Sequence, residues 1–138
     1  MSVAAHTAIF ELEGAKAQII ECSYSFSRRT DEKKGQPITV VMAGTIKVKI
    51  RSDEKEMVGK IVNAILKQDE AIKGSISIYS DAGQSAELKK IEFENGFVIR
   101  YFEEFGAENS ENTLETFEIT AEKIKVSGAS YNGRWPNS

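Results

Sequence analysis

Alternation of apolar and polar residues with period two runs through most of this chain and constrains its architecture more than any other feature. Ile46, Val48 and Ile50 share one parity, while Thr45, Lys47, Lys49 and Arg51 share the other. Upstream, Ile20, Cys22, Tyr24 and Phe26 alternate with Glu21, Ser23, Ser25 and Ser27. Successive side chains of a strand point to opposite faces of a sheet, so both segments are predicted as half-buried strands with one apolar and one polar face. Between them, residues 28–37 hold no apolar side chain to bury apart from Pro37 and close on Gly35, Gln36 and Pro37, the composition of an extended projecting loop.

The same pattern recurs along the chain. Ala8, Phe10 and Leu12 alternate ahead of Glu13, Gly14 and Ala15, which predicts a hairpin with the strand that follows. Residues 75–79 form a further strand, followed by a turn at Asp81, Ala82 and Gly83. Ile91 and Phe93 are in phase along residues 87–94, but Leu88 is not, which predicts a bulge. Asn95 and Gly96 then have the composition of a two-residue hairpin turn, with Phe97, Ile99 and Tyr101 facing inward on the partner strand. After a polar loop at residues 106–112, Phe117, Ile119 and Ala121 point inward before Ile124 and Val126 take the other parity, so a bulge is expected near Glu122 or Lys123.

Only residues 53–67 change period. Met57, Val58, Ile61, Val62 and Ile65 form one stripe, with Lys55, Glu56, Lys60, Asn63 and Lys67 mostly away from it, which predicts an amphipathic helix. Asp53 and Glu56 have the spacing of a capping box, and lysines toward the other end suit the macrodipole. Gly59 inside the helix costs about 1 kcal/mol relative to Ala. Seven strands with one helix between the third and fourth predict a mainly β fold, a small antiparallel β-barrel or closed sandwich with one flanking α-helix. Closure would also protect the strand edges.

At 138 residues the chain suits a single domain spanning residues 1–138, with 28–37 as an extended loop and 130–138 as a tail. A net charge of -3 argues against binding nucleic acid, which needs clustered Lys and Arg. No apolar run approaches the length of a membrane helix, and residues 1–6 lack the basic and apolar pattern of a signal peptide. Folding in the cytoplasm without membrane insertion is therefore expected. The single cysteine cannot form an internal disulfide.

Catalytic chemistry finds little support. His6, the only histidine, stands at the very start of the chain, where a triad with Cys22 or a serine is hard to build. Cys22 lies on an apolar parity, where burial makes a thiol a small inert hydrophobe. One His and one Cys cannot form a tetrahedral metal site, and no acidic spacing matches a calcium loop, so no metal or cofactor is expected. Glu92 and Glu94, at alternate positions, and the pair Glu103 and Glu104 read as a solvated face, and Gly14, Gly35, Gly44, Gly59, Gly74 and Gly83 are scattered rather than grouped as a phosphate loop.

Two features point to assembly instead. Val98, Arg100 and Phe102 share a parity opposite to Ile99 and Tyr101, so the strand from Val98 to Phe105 is apolar on both faces and predicts burial against another subunit rather than the helix. The lone Trp135, beside Arg134 in a polar tail, is either a frayed end or an anchor for a neighbour.

The order of the segments C-S-Y-S-F-S, T-D-E-K-K-G-Q-P, G-T-I-K-V-K-I and T-A-E-K-I-K-V-S-G-A, through to Trp135, resembles the tube protein of type VI secretion systems, Hcp or TssD, in its Bacteroidetes form. The resemblance runs from about Ala8 to Trp135. It implies a small β-barrel without catalytic residues that forms hexameric rings, stacked into a tube inside a sheath and expelled with spike and effector proteins. Secretion by that route needs no signal peptide. By the same resemblance the loop of residues 28–37 contacts neighbouring subunits or the next ring, with Thr30, Asp31, Gly35 and Pro37 at matching positions and Arg28 and Arg29 more basic than the family pattern. Ser23, Ser25, Lys47 and Lys49 would face either the lumen or the sheath. The alternative is a β-barrel carrier of a small molecule, which would need an internal cavity; Phe10, Tyr24, Phe26, Ile46, Ile91, Phe93 and Phe117 are bulky enough to fill it.

Overall fold

The computed structural model describes residues 6–51, 53–80, 86–104 and 113–136. The expected turn at Asp81, Ala82 and Gly83 and the expected loop at residues 106–112 lie outside them. In chain order the elements are β1 (Thr7–Leu12), β2 (Ala15–Ser23), β3 (Phe26–Ser27), β4 (Met42–Ala43), β5 (Ile46–Arg51), α1 (Lys55–Leu66), β6 (Ile72–Tyr79), β7 (Glu87–Glu104), β8 (Leu114–Val126) and β9 (Ala129–Asn132).

The main sheet runs β5-β2-β1-β6-β7-β8 and closes by pairing β5 with β8, all antiparallel, which makes the expected barrel with six staves. β8 is long enough to serve two neighbours on one edge: its first half pairs with β5 and its last residues pair with β9. Phe10, Leu12, Ile46, Val48, Ile50, Ile76, Ile91, Phe93, Phe117 and Ile119 are buried almost completely in the interior. Phe10 contacts Phe117 edge to face at 5.3 Å between ring centroids and lies nearly parallel to Phe93 at 6.2 Å. Burial of this apolar surface is the dominant stabilising term.

Several expectations are corrected by long-range packing. Glu13 and Gly14 form the first hairpin turn with φ of 47° and 91°, the pair of positive values a tight two-residue turn requires. Along β2, however, the register shifts between Ile19 and Glu21, so Ala15, Ala17 and Ile19 face inward and Ile20 is 50% exposed. The parity of Cys22 and Tyr24 holds beyond this bulge, although both are only partly buried, and Phe26 faces solvent at the root of the loop. The bulge at Leu88 is present, between the pairs Ile78 with Lys89 and Tyr79 with Glu87.

Asn95 and Gly96 are not a hairpin turn. They lie within the continuous β7, where Asn95 adopts φ of 50° and its Nδ2 donates to Glu122 Oε1 at 3.0 Å. Gly96 is needed for close approach: a Cβ there would lie 2.9 Å from Phe93 Cδ2. Here β7 and β8 reverse parity together, Phe93 and Ile124 facing inward on one side and Gly96 and Ala121 on the other, with no change of register. The change of parity expected near Glu122 or Lys123 is therefore present, but the bulge expected to cause it is not: both strands turn over together in an unbroken register. Consequently Val98 is buried at 7% exposure and Ile99, the next residue, lies outside at 52%; a register shift between Val98 and Arg100 then keeps Arg100 outside and turns Tyr101 back toward the core.

Helix α1 packs Met57, Ile61 and Ala64 into the core. The capping box does not form, and the last turn carries no basic residue. Glu54 takes the N-cap position, but its Oε2 accepts the Gln18 N–H of β2 at 3.0 Å, so the carboxylate ties the helix to the barrel instead of capping it.

Candidate functional site

The polar loop is an ordered arm rather than an irregular excursion. At its root β3 pairs with β4, Phe26 opposite Ala43 and Ser27 opposite Met42. Further out, the Ile38 N–H donates to the Arg29 carbonyl at 2.8 Å and Thr30 pairs with Pro37. At the tip Asp31 receives the Gly35 N–H on its carbonyl and the Lys33 N–H on Oδ1, both at 2.8 Å, while Gly35 holds φ of 70°. Asp31 and Gly35 thus build the turn itself. Arg28 Nε donates to the Thr39 carbonyl at 3.2 Å, and the Arg29 N–H to Thr39 Oγ1 at 2.8 Å, stiffening the stem.

This arm carries apolar residues into solvent. Ile38 and Val40 are 61% and 80% exposed, with Phe26, Val41 and Met42 also exposed. The loop expected from the sequence ends at Pro37 and does not include them. The signal was available: Ile38, Val40, Val41 and Met42 are apolar on both parities in a segment bordered by Pro37 and Gly44, too short to span the barrel. A groove of about 720 Å³ lies between the arm and β9, lined by Phe26, Val40, Val41, Val126, Tyr131 and Arg134 among others.

The other expected interface residues divide. Arg100 and Phe102 lie on the outer face of β7, Phe102 56% exposed and Arg100 Nε 3.8 Å from Glu118 Oε2. Val98 is excluded from any outer surface, because the parity switch turns it into its own core. Trp135 is not a frayed end. It lies against Phe97 of its own chain, ring centroids 6.2 Å apart, and its N–H donates to Glu122 Oε2 at 2.7 Å.

Reactive groups are scattered and tied into structure. Burial pushes the Cys22 thiol above its ordinary pKa, with the neighbouring Glu21 carboxylate adding to the effect. The Tyr101 hydroxyl donates to Glu115 Oε1, and burial followed by this bond raises the phenol pKa well above its usual value. Among the described residues no three His, Cys, Asp or Glu side chains come together as a metal site would require, and no helix is long and apolar enough to cross a membrane.

A filled six-stranded antiparallel barrel with one packed helix defines a small β-barrel protein whose projecting apolar arm, rather than an internal cavity, is its candidate contact surface. The model of the hemolysin coregulated protein Hcp (TssD) family matches residues 4–136, and the chain belongs to that family. It is a structural tube subunit of type VI secretion. Hcp1 from Flavobacterium johnsoniae is 25% identical, with a TM-score of 0.75 over 91% of this chain and 98% of that one. Hcp1 from Salmonella typhimurium shares the fold at 11% identity, with a TM-score of 0.70 over 91% of each chain. A chain of the sheath–tube complex of the PVC extracellular contractile injection system shares it at 14% identity, with a TM-score of 0.59 over 93% of each. No curated protein sequence matches the chain.

Proposed function

We propose that this subunit closes into homohexameric rings that stack into the inner tube, and that the tube is expelled from the cytoplasm through the type VI apparatus together with spike and effector proteins inside a contracting sheath. The whole chain acts as one tube domain, with residues 28–37 reaching neighbouring subunits and residues 130–138 as its tail. Its role is mechanical, without a catalytic step. The observation that carries this reading is the arm: a hydrogen-bonded hairpin that presents Ile38, Val40 and Met42 to solvent while the barrel core is already full. Large exposed apolar surface on a small protein marks a contact with another chain. The outer face of β7, with Arg100 and Phe102, supplies a second contact. The carrier reading is disfavoured because Phe10, Phe93 and Phe117 occupy the barrel interior.

Native mass spectrometry of the purified protein, with negative-stain images of the same sample, tests the proposal. Six-subunit rings are expected; a monomer at high concentration would refute ring closure as an intrinsic property.

A further inference from the structure

We propose that the groove between the arm and β9 receives the Phe102 end of β7 from a second copy of this chain, and that this contact sets the head-to-tail register of the ring. The inference rests on the tube reading above and adds which two surfaces meet.

Phe102 pairs with Thr116, whereas Tyr131 of the groove pairs with Ile124 further along β8. At about 3.3 Å per residue the two places lie roughly 26 Å apart, so the Phe102 end cannot fill the groove of its own chain. A groove of about 720 Å³ has room for several side chains and is mainly apolar where the arm lines it.

Charge selects the partner. Glu103 and Glu104 follow Phe102, are exposed, and form no ion pair among the described residues. The groove is lined by Arg134, which forms no ion pair among the described residues, and by no acidic side chain among them. Pairing groove with groove would oppose arginines, and pairing the β7 end with itself would oppose glutamates. The heterologous contact alone brings opposite charges together around a buried Phe102, and heterologous contacts are the kind that close rings.

The test uses the full chain with Cys22→Ser, Glu104→Cys and Ser130→Cys, which keeps Phe102 and the apolar lining of the groove. Treatment with a short bismaleimide is expected to give a ladder of dimers, trimers and larger covalent species on a denaturing gel. Either single cysteine should stop at a dimer or below. A control pair, Glu104→Cys with Leu66→Cys on α1, should give no ladder; an equal ladder from it overturns the proposal. Native mass spectrometry of the untreated samples separates the two readings. Rings without a ladder overturn this register and leave the tube reading standing, whereas monomers throughout overturn both.

Discussion

The backbone N–H of Trp135 donates to Glu122 Oε2 at 2.7 Å, which ties the C-terminal segment to the point where β7 and β8 reverse parity. Glu122 is 4% exposed, and its other oxygen accepts Asn95 Nδ2 while its carbonyl accepts the Gly133 N–H at 2.7 Å. One carboxylate therefore holds both the bend of the strands and the tail.

Replacing that carboxylate removes both ties. Glu122→Ala should lower unfolding stability by about 1–3 kcal/mol, the usual effect of leaving buried donors unsatisfied. Because the chain has a single Trp, its fluorescence reports the tail directly. A red-shifted emission in the folded variant is expected; an unchanged spectrum would count against the latch.

Tyr101 makes stability depend on alkaline pH. Its pKa is higher folded than unfolded, so its contribution is complete below the unfolded value near 10 and declines as pH rises past it toward the folded value. Denaturant unfolding at several alkaline pH values should show this decline, and Tyr101→Phe should flatten it. The variant should also lose about 1–3 kcal/mol near neutral pH, since Glu115 loses a donor.

Gly59 sits exposed in the middle of α1, and a Cβ built there meets nothing within 4 Å. Gly59→Ala should raise stability by up to about 1 kcal/mol through helix propensity alone. Chemical denaturation checks it, and a loss of stability would reveal a constraint on this position.

Gly96→Ala should have the opposite sign. Its Cβ would press on Phe93 and lie 3.3 Å from Ile119 Cγ2, so a cost of about 1–3 kcal/mol is expected from overpacking. A melting curve as high as that of the parent would show that Phe93 moves aside freely.

Phe102→Glu should abolish rings in native mass spectrometry while the circular dichroism spectrum and melting cooperativity stay intact, because Phe102 is exposed in the single chain. Rings that persist in this variant would remove β7 from the subunit contact.

Local alternation was sufficient to read the inward faces of Phe10, Leu12, Ile46, Val48, Ile50, Phe117 and Ile119, the helix stripe of Met57 and Ile61, and the bulge at Leu88. Each of these follows from side-chain spacing within one element, which the chain carries by itself. The order of the segments along the chain was also enough to indicate the family. What lay beyond the sequence depends on partners distant along it. Asn95 and Gly96 have the composition of a turn, yet β6 and β8 flank them and carry β7 straight through. The reversal they make with Glu122 sends Val98 into the core and leaves Ile99 outside. Glu54 forgoes capping for the Gln18 amide, and Trp135 finds Phe97 and Glu122, because residues far apart in sequence become neighbours only when the barrel closes. Spacing specifies which face a residue takes within a strand; closure decides which strand lies beside it and where that face must change.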